Sequence, residues 1–369
     1  MNPVMRIVGA DLGNDSTKIV FGPRQYFRIP NSVSQRMMGE RRKNLSIDTL
    51  RVEGSFNELE DRARDRLLQD LDVVITSKTI DGRFFVGELA TKNGENEILT
   101  GTPKADNPFI TIPLITMLAL DVPSHTTIGE FKVVCGLPIS EYTQDRERYR
   151  EKLIGEYEVE FQSETIKNRR VKVIIKDAYV VPEGVAVVLN RMLNETATGL
   201  RNPSLRQGHI GVIDIGAFTT DIPVIVNGKP DSDASMGINE GIAHYLDKII
   251  RHVNETYGVH MSRSQLVSRL ETGELEFPIK GKPANLRPFI VDQFQIFARR
   301  IVSLVDSIWE HHFEIREFFV VGGGAKALKD HLTAEMEKRN IHLTFIQDED
   351  PQMQNALGYW KYAKQKFGG

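Results

Sequence analysis

Residues 209–228 read HIGVIDIGAFTTDIPVIVNG, and this stretch constrains the fold more than any other. Ile210, Val212, Ile213 and Ile215 make a short apolar run of the kind that buried strands use. Asp214 stands near its end, Gly216 follows, and Thr219, Thr220 and Asp221 come directly after. A second β-rich run, Ile222 to Val226, stops at Asn227-Gly228, a strong hairpin signal. The pattern predicts strand, tight turn, strand, turn, with a carboxylate and two hydroxyls held at one bend. Glycine there lets backbone N–H groups approach an anion, and threonine hydroxyls add donors. The carboxylate cannot hold a phosphate, but it can hold the hydrated Mg²⁺ that travels with one. A single Asp-x-Gly is, on its own, most often an ordinary hairpin with a polar turn.

The pattern occurs twice. Residues 7–18 read IVGADLGNDSTK, an apolar strand start followed by Asp11, Gly13, Asn14, Asp15, Ser16, Thr17 and Lys18. Lys18 adds a cation able to reach phosphate oxygens. Two such hairpins, about 200 residues apart, predict two related halves facing one nucleotide. A third cluster, Gly322-Gly323-Gly324, follows the strand-like Phe318 to Val321 and precedes a helical pattern from Ala325. Strand-to-helix turns of this kind are where α/β folds bind ligands.

The ordered set DLGNDSTK, VVPEG, DIGAFTTD, VGGGAKAL and PQMQNALGYW resembles the actin, Hsp70 and sugar-kinase ATPase superfamily. Within it the chain is most similar to the ParM-type bacterial actin-like proteins that segregate plasmids. PNSVS at 30–34 and GLPISEYTQDR at 136–146 carry that closer match. The resemblance covers nearly the whole chain in order. It implies an α/β actin-like fold of two related domains, each a mixed β-sheet flanked by helices, with the nucleotide cleft between them. It places domain I at 1–182 plus 351–369, with an inserted subdomain near 24–105, and domain II at 183–350, with one near 238–310.

Composition sets outer limits. The chain has 369 residues, enough for two domains with a core each. Hydrophobic residues make up 40% and charged residues 26%, and the net charge of −3 argues against a surface built to bind nucleic acid directly. The single Cys135 excludes an internal disulfide and fits a reducing cytoplasm. It lies in the apolar FKVVCGLP stretch, where a buried small hydrophobe is the expectation. No signal peptide is read at the start and no stretch is long and apolar enough for a membrane span, so a cytoplasmic protein is expected.

Along the chain, Lys18 to Phe21 and Gln25 to Ile29 read as strands around Gly22-Pro23. Arg36, Arg41, Arg42 and Lys43 open a charged insertion, and Glu58 to Gln69 has a helical pattern, best read as solvated surface. Residues 71–90 alternate around Asp81-Gly82, which predicts a hairpin with its turn there. Phe109 to Leu120 predicts an apolar helix, Phe131 to Cys135 a buried strand, Thr143 to Leu153 a charged helix and Val171 to Val181 another strand. Glu183-Gly184 then leads into a helix with apolar residues at 185, 188, 189, 192 and 193. Gly237 to Gly241 leads into a second helix, with apolar positions at 238, 242, 245, 246, 249 and 250. Residues 253–290 give no clear period; Val291 to Trp309 and Asn355 to Lys366 predict helices.

The resemblance also implies roles. Glu183 orients the attacking water and forms the catalytic set with Asp214. Asp11 and Asp214 hold Mg²⁺ through its waters. Gly13, Asn14, Ser16, Thr17, Lys18, Gly216, Ala217, Thr219 and Thr220 clasp the phosphates. Asp15 belongs to the same cofactor-binding loop but must point away from phosphate or reduce affinity. Gly322, Gly323, Gly324 and Ala325 pass close to the nucleoside, and Gly237 is a further cofactor-binding position. Gln295 and Arg299 are candidates near the adenine. Two departures stand out: Asp15 puts a carboxylate inside the first loop, and Ala217 replaces a common second glycine, which is unfavourable if φ there is positive. The implied activity is an ATPase, with GTP as the alternative nucleotide, that polymerises into filaments, disassembles on hydrolysis and moves plasmid DNA through an adaptor protein. The alternative is a small-molecule kinase of the same superfamily.

Overall fold

The computed structural model describes residues 5–39, 61–93, 102–163, 166 and 168–368. The basic run at 41–43 and the first part of the predicted helix, 58–60, lie outside the described residues. The chain divides into two units, Met1–Pro203 with Asn355–Gly369 and Ser204–Gln354.

In the first unit the elements are β1 (Met5–Leu12), β2 (Ser16–Gly22), β3 (Gln25–Pro30), β4 (Val33–Arg36), α1 (Asp61–Leu68), β5 (Leu71–Thr76), β6 (Asp81–Val86) and α2 (Glu88–Asn93). They continue with α3 (Ile112–Asp121), β7 (Ile128–Leu137), α4 (Ile139–Leu153), β8 (Gly155–Phe161), β9 (Arg170–Pro182) and α5 (Val185–Met192). The strands form one nine-stranded sheet in the order β3-β2-β1-β7-β9-β8-β5-β6-β4. β1 pairs antiparallel with β2 and parallel with β7, and β7 pairs parallel with β9. A continuous apolar core runs from Val8 on β1 to Phe84 on β6 and Phe161 on β8.

Two expectations change here. Strands β4 to β6, expected in a separate inserted subdomain, extend the main sheet through the β5–β8 pairing and share its core. The β5–β6 turn lies at Ser77–Ile80 instead of Asp81-Gly82, which open β6. Ser77 decides this: its Oγ accepts the N–H groups of Thr79 and Ile80, and the Ser77 N–H bonds the Ile80 carbonyl.

Helix α3 is buried along its whole length, which explains its nearly all-apolar sequence. α5 stays with the first unit, because that unit runs on to Pro203 and not only to residue 182. It is also buried on more than one face, at Val185, Ala186, Val187, Val188 and Asn190. The last helix, α10 (Gln354–Phe367), follows those of the second unit and packs into the first unit. It comes so close that a Cβ at Gly9 would meet the Trp360 backbone, and one at Gly358 the backbone of Ala186.

The second unit begins with β10 (His209–Ile215), β11 (Thr220–Val226) and β12 (Lys229–Ile238), followed by α6 (Ile242–Tyr257) and α7 (Arg263–Thr272). β13 (Glu276–Ile279), β14 (Lys282–Asn285), α8 (Arg287–His311), β15 (Ile315–Val321), α9 (Gly324–Arg339) and β16 (Thr344–Phe345) complete it. Its sheet runs β12-β11-β10-β15-β16, with β10 parallel to β15. Asn227 and Gly228 have φ of 50° and 79° and make the β11–β12 turn that their sequence predicts. Ile238 closes β12 and does not enter α6, which starts after Gly241. The segment 253–290, without a clear period, contains α7, started by a capping box of Ser262 and Gln265, and the small β13–β14 hairpin.

Candidate functional site

The first hairpin is built from β1 and β2, with Asp11 opposite Lys18 and Leu12 opposite Thr17. The Lys18 ammonium lies 2.9 Å from Asp11 Oδ2, and Asp11 is 6% exposed. Lys18 is therefore already paired with the aspartate on its own hairpin. Asn31, which follows β3, braces the loop from behind. Its Nδ2 donates to the Gly13 carbonyl at 2.7 Å, its Oδ1 accepts from Thr17 Oγ1 at 3.0 Å, and its N–H donates to the Asp15 carbonyl at 2.9 Å. Asp15 itself is exposed, which avoids burying its charge in the loop. The motif PNSVS carries a resemblance in the sequence; in the fold its asparagine shapes the loop.

The second hairpin has the same frame. Asp214 stands opposite Asp221 and Ile215 opposite Thr220. The Gly216 N–H bonds the Thr219 carbonyl at 2.9 Å, closing the turn. Helix α6 braces it: the N–H groups of Ile242 and Ala243 donate to the carbonyls of Gly216 and Ala217 at 3.0 and 2.8 Å. Gly241 has to be glycine because a Cβ there would meet the Ala217 carbonyl group. Ala217 is absent from the described non-glycine residues with positive φ, so alanine is unstrained at that place.

The hydroxyls divide into two kinds. Thr17 and Thr220 are 1% and 0% exposed and donate into the protein, Thr17 to Asn31 and Thr220 to the Glu240 carbonyl at 2.7 Å. Ser16 and Thr219 are half-buried, and Thr219 Oγ1 donates to Asp221 Oδ2 at 3.0 Å. Gly237 lies on β12 opposite Asp221.

Within the second unit, β15 brings the glycine turn beside Asp214. Gly322 has φ of +90°, and a Cβ added there would come within 2.5 Å of Asp214 Oδ1 and of the Ile215 carbonyl. Its N–H donates to the Pro351 carbonyl at 3.0 Å. Gly323 is open by comparison, with Gln352 at 3.9 Å, and Gly324 and Ala325 begin α9. Gln295 and Arg299 lie on α8 and reach Glu335 on α9, at 2.5 and 3.9 Å. Both thus face a carboxylate that is 3% exposed.

Glu183 follows the end of β9, and its N–H bonds the Leu137 carbonyl at the end of β7 at 2.9 Å. Its side chain lies 2.5 Å from the Lys104 ammonium. Lys104 was not foreseen: within TPKADN it has no motif, and it meets Glu183 only through the fold. Its side chain is 8% exposed. Burial works against its charge, but Glu183, Asp11 and Glu141 outweigh that and hold it protonated far above the ordinary lysine range. Among the described residues no group of three or more His, Cys, Asp or Glu could wrap a bare metal ion.

A family model described as "Actin like proteins N terminal domain" matches residues 9–185, and one described as "Archaeal actin homologue MreB-like, C-terminal" matches 212–334. The chain thus resembles actin-like proteins over both matched stretches, and it has an actin-like fold. Among solved structures, the fold is shared with ParM proteins and with an archaeal actin homolog. A 15-stranded ParM filament from Clostridium botulinum has a TM-score of 0.72 at 21% identity, over 99% of this chain and 100% of that one. Bacillus thuringiensis ParM with ADP has 0.71 at 20% identity, over 98% and 99%. The archaeal actin homolog Ta0583 has 0.73 at 18% identity, over 98% and 100%. No curated protein matches the chain by sequence.

Proposed function

We propose that this chain is a nucleotide-hydrolysing, filament-forming actin-like protein. The observation that carries the reading is the repeated frame of the hairpins. Each unit sets an aspartate and a glycine at one register of a braced loop, and the second adds the Gly322 turn beside Asp214. Loops of this kind present backbone N–H groups to phosphate oxygens, and the cation Lys18 adds charge stabilisation in the first. The fold likeness to a ParM solved with ADP and to one solved as a filament supports the same reading.

Asp11 and Asp214 are the residues proposed to hold Mg²⁺ through its waters, since among the described residues no group of three or more carboxylates, imidazoles or thiols could hold the bare ion. When bound, the ion would neutralise phosphate charge. Glu183, directly after β9, is the residue proposed to orient the attacking water. Asn14, Ser16 and Thr219 are the loop side chains proposed to face phosphates, and Gly13 and Gly323 contribute backbone, whereas the N–H groups of Gly216 and Ala325 are bonded within their own turns. Thr17 and Thr220 act by holding the loops in shape. Gln295 and Arg299 are retained as nucleoside-proximal through their α8–α9 bridge.

Assembly favoured by ATP and reversed by hydrolysis follows if loss of the γ-phosphate relaxes the bound state. Movement of plasmid DNA through an adaptor protein, and a cytoplasmic setting, are the finer parts of the proposal and rest on the ParM resemblance. Among the described residues, no helix is long and apolar enough to cross a membrane. Sedimentation with ATP, ADP and a non-hydrolysable analogue tests the reading. Pelleting with ATP and the analogue is the expected result. A chain that stays monomeric in all three while phosphorylating a small metabolite is a kinase instead.

A further inference from the structure

We propose that Lys104 is the positioning residue for Glu183: it fixes the carboxylate in the one orientation from which a water can be directed. The proposal rests on the reading of Glu183 as the water-orienting group. Three observations in the first unit carry it. The Glu183 backbone is already fixed, because its N–H is bonded to Leu137 at the end of β7, next to the β9 end in the sheet. The carboxylate, however, sits on a flexible side chain that can occupy several rotamers. Lys104 Nζ removes that freedom by closing on Oε1 at 2.5 Å, with the two side chains 8% and 14% exposed.

Lys104 is itself held from a third direction. Its backbone N–H donates to Glu141 Oε2 at 3.0 Å, and Glu141 is in the first turn of α4, directly after β7. Glu141, Lys104 and Glu183 thus form a relay from the start of α4, through a buried ammonium, to the residue that follows β9. A buried ion pair adds little net stability compared with apolar packing, so stability alone gives weak reason for it. It does fix a position: the ammonium pins Oε1, and the second carboxylate oxygen stays available to accept from water. Asp11 also acts on the Lys104 charge, so the same cation ties the metal-side carboxylate to the water-side one electrostatically.

The test is a double-mutant cycle on the full chain, with Lys104→Met, Glu183→Gln and the double variant, measured as ATP turnover and ADP affinity. If Lys104 acts through Glu183, K104M lowers kcat by about tenfold or more with ADP affinity unchanged. The double variant then turns over no slower than E183Q alone, because the relay has already lost its endpoint. Additive losses, or a loss of ADP affinity in K104M, overturn the proposal by placing Lys104 on the nucleotide itself. Should K104M fail to fold, Lys104→Arg keeps the charge but moves it. A fall in kcat then supports the proposal and a parental kcat overturns it. Full turnover by E183Q instead removes the water-orienting reading of Glu183, and the proposal with it. That outcome is separate from an inactive E183Q beside a fully active K104M, which removes only Lys104.

Discussion

Thr17 and Thr220 occupy the same register in two separate hairpins: each pairs with the residue that follows the hairpin's aspartate. Each also donates its hydroxyl into the protein, to Asn31 Oδ1 and to the Glu240 carbonyl. Thr17→Val and Thr220→Val keep the shape and leave these buried acceptors short of a donor. Each substitution is expected to cost about 1–3 kcal/mol in urea unfolding, with ADP affinity changed little. Unaltered stability with weakened ADP binding would turn both hydroxyls towards the ligand.

Asp11 is held by Lys18, so Asp11→Ala removes both the carboxylate proposed to hold Mg²⁺ through its waters and the partner of a half-buried ammonium. Isothermal titration with and without Mg²⁺ is expected to show loss of the Mg²⁺-dependent part of ATP binding. Circular dichroism is expected to show the fold retained. Equal Mg²⁺ dependence in variant and parent removes Asp11 from this role.

Glu183→Ala separates binding from hydrolysis. Loss of a positioning group needed only in the transition state typically lowers rate by about 10²–10⁴-fold. Filaments are expected to form with ATP and to persist, as followed by phosphate release and 90° light scattering in one cuvette. Normal phosphate release makes Glu183 a structural partner of Lys104.

The glycine turn gives a paired comparison. Gly322→Ala combines a φ of +90° with a clash against Asp214 and Ile215, whereas Gly323→Ala meets its nearest neighbour at 3.9 Å. Gly322→Ala is expected to lower the unfolding midpoint by the equivalent of about 1–3 kcal/mol, and Gly323→Ala to be close to neutral. Thermal unfolding of both variants, side by side, decides it.

Cys135 is fully buried, and burial pushes its thiol up to about 12. Reaction with iodoacetamide at about pH 8 is expected only after denaturation, because the thiolate is the nucleophile. The sign of the linked stability follows. The unfolded thiol ionises near 9.0 while the folded one stays protonated, so this contribution is intact below that pH and is lost as pH rises towards about 12. Cys135→Ala is expected to flatten that alkaline limb, and native-state labelling at pH 8 would contradict the buried assignment.

The hairpins, the Asp-x-Gly bends, the Asn227-Gly228 turn and the strand–glycine–helix step at 322–324 were legible in the sequence. Their physical causes are local: alternation, glycine and turn chemistry act between residues a few places apart. The β5–β6 turn was misplaced because Ser77 supplies a side-chain turn that competes with the familiar Asp-Gly signal. Whether Thr17 faced a ligand or Asn31 depended on β3 returning past the loop, and whether Thr220 did so depended on the approach to α6. Lys104 and Glu183 lie 79 positions apart, and no periodicity links them. They meet because the parallel pairing of β7 and β9 sets Glu183 beside the start of α4, where Glu141 accepts the Lys104 N–H, and long-range contacts of that kind are decided by tertiary packing. Sequence determined which residues could carry the chemistry; tertiary structure decided which of them are fixed, and by what.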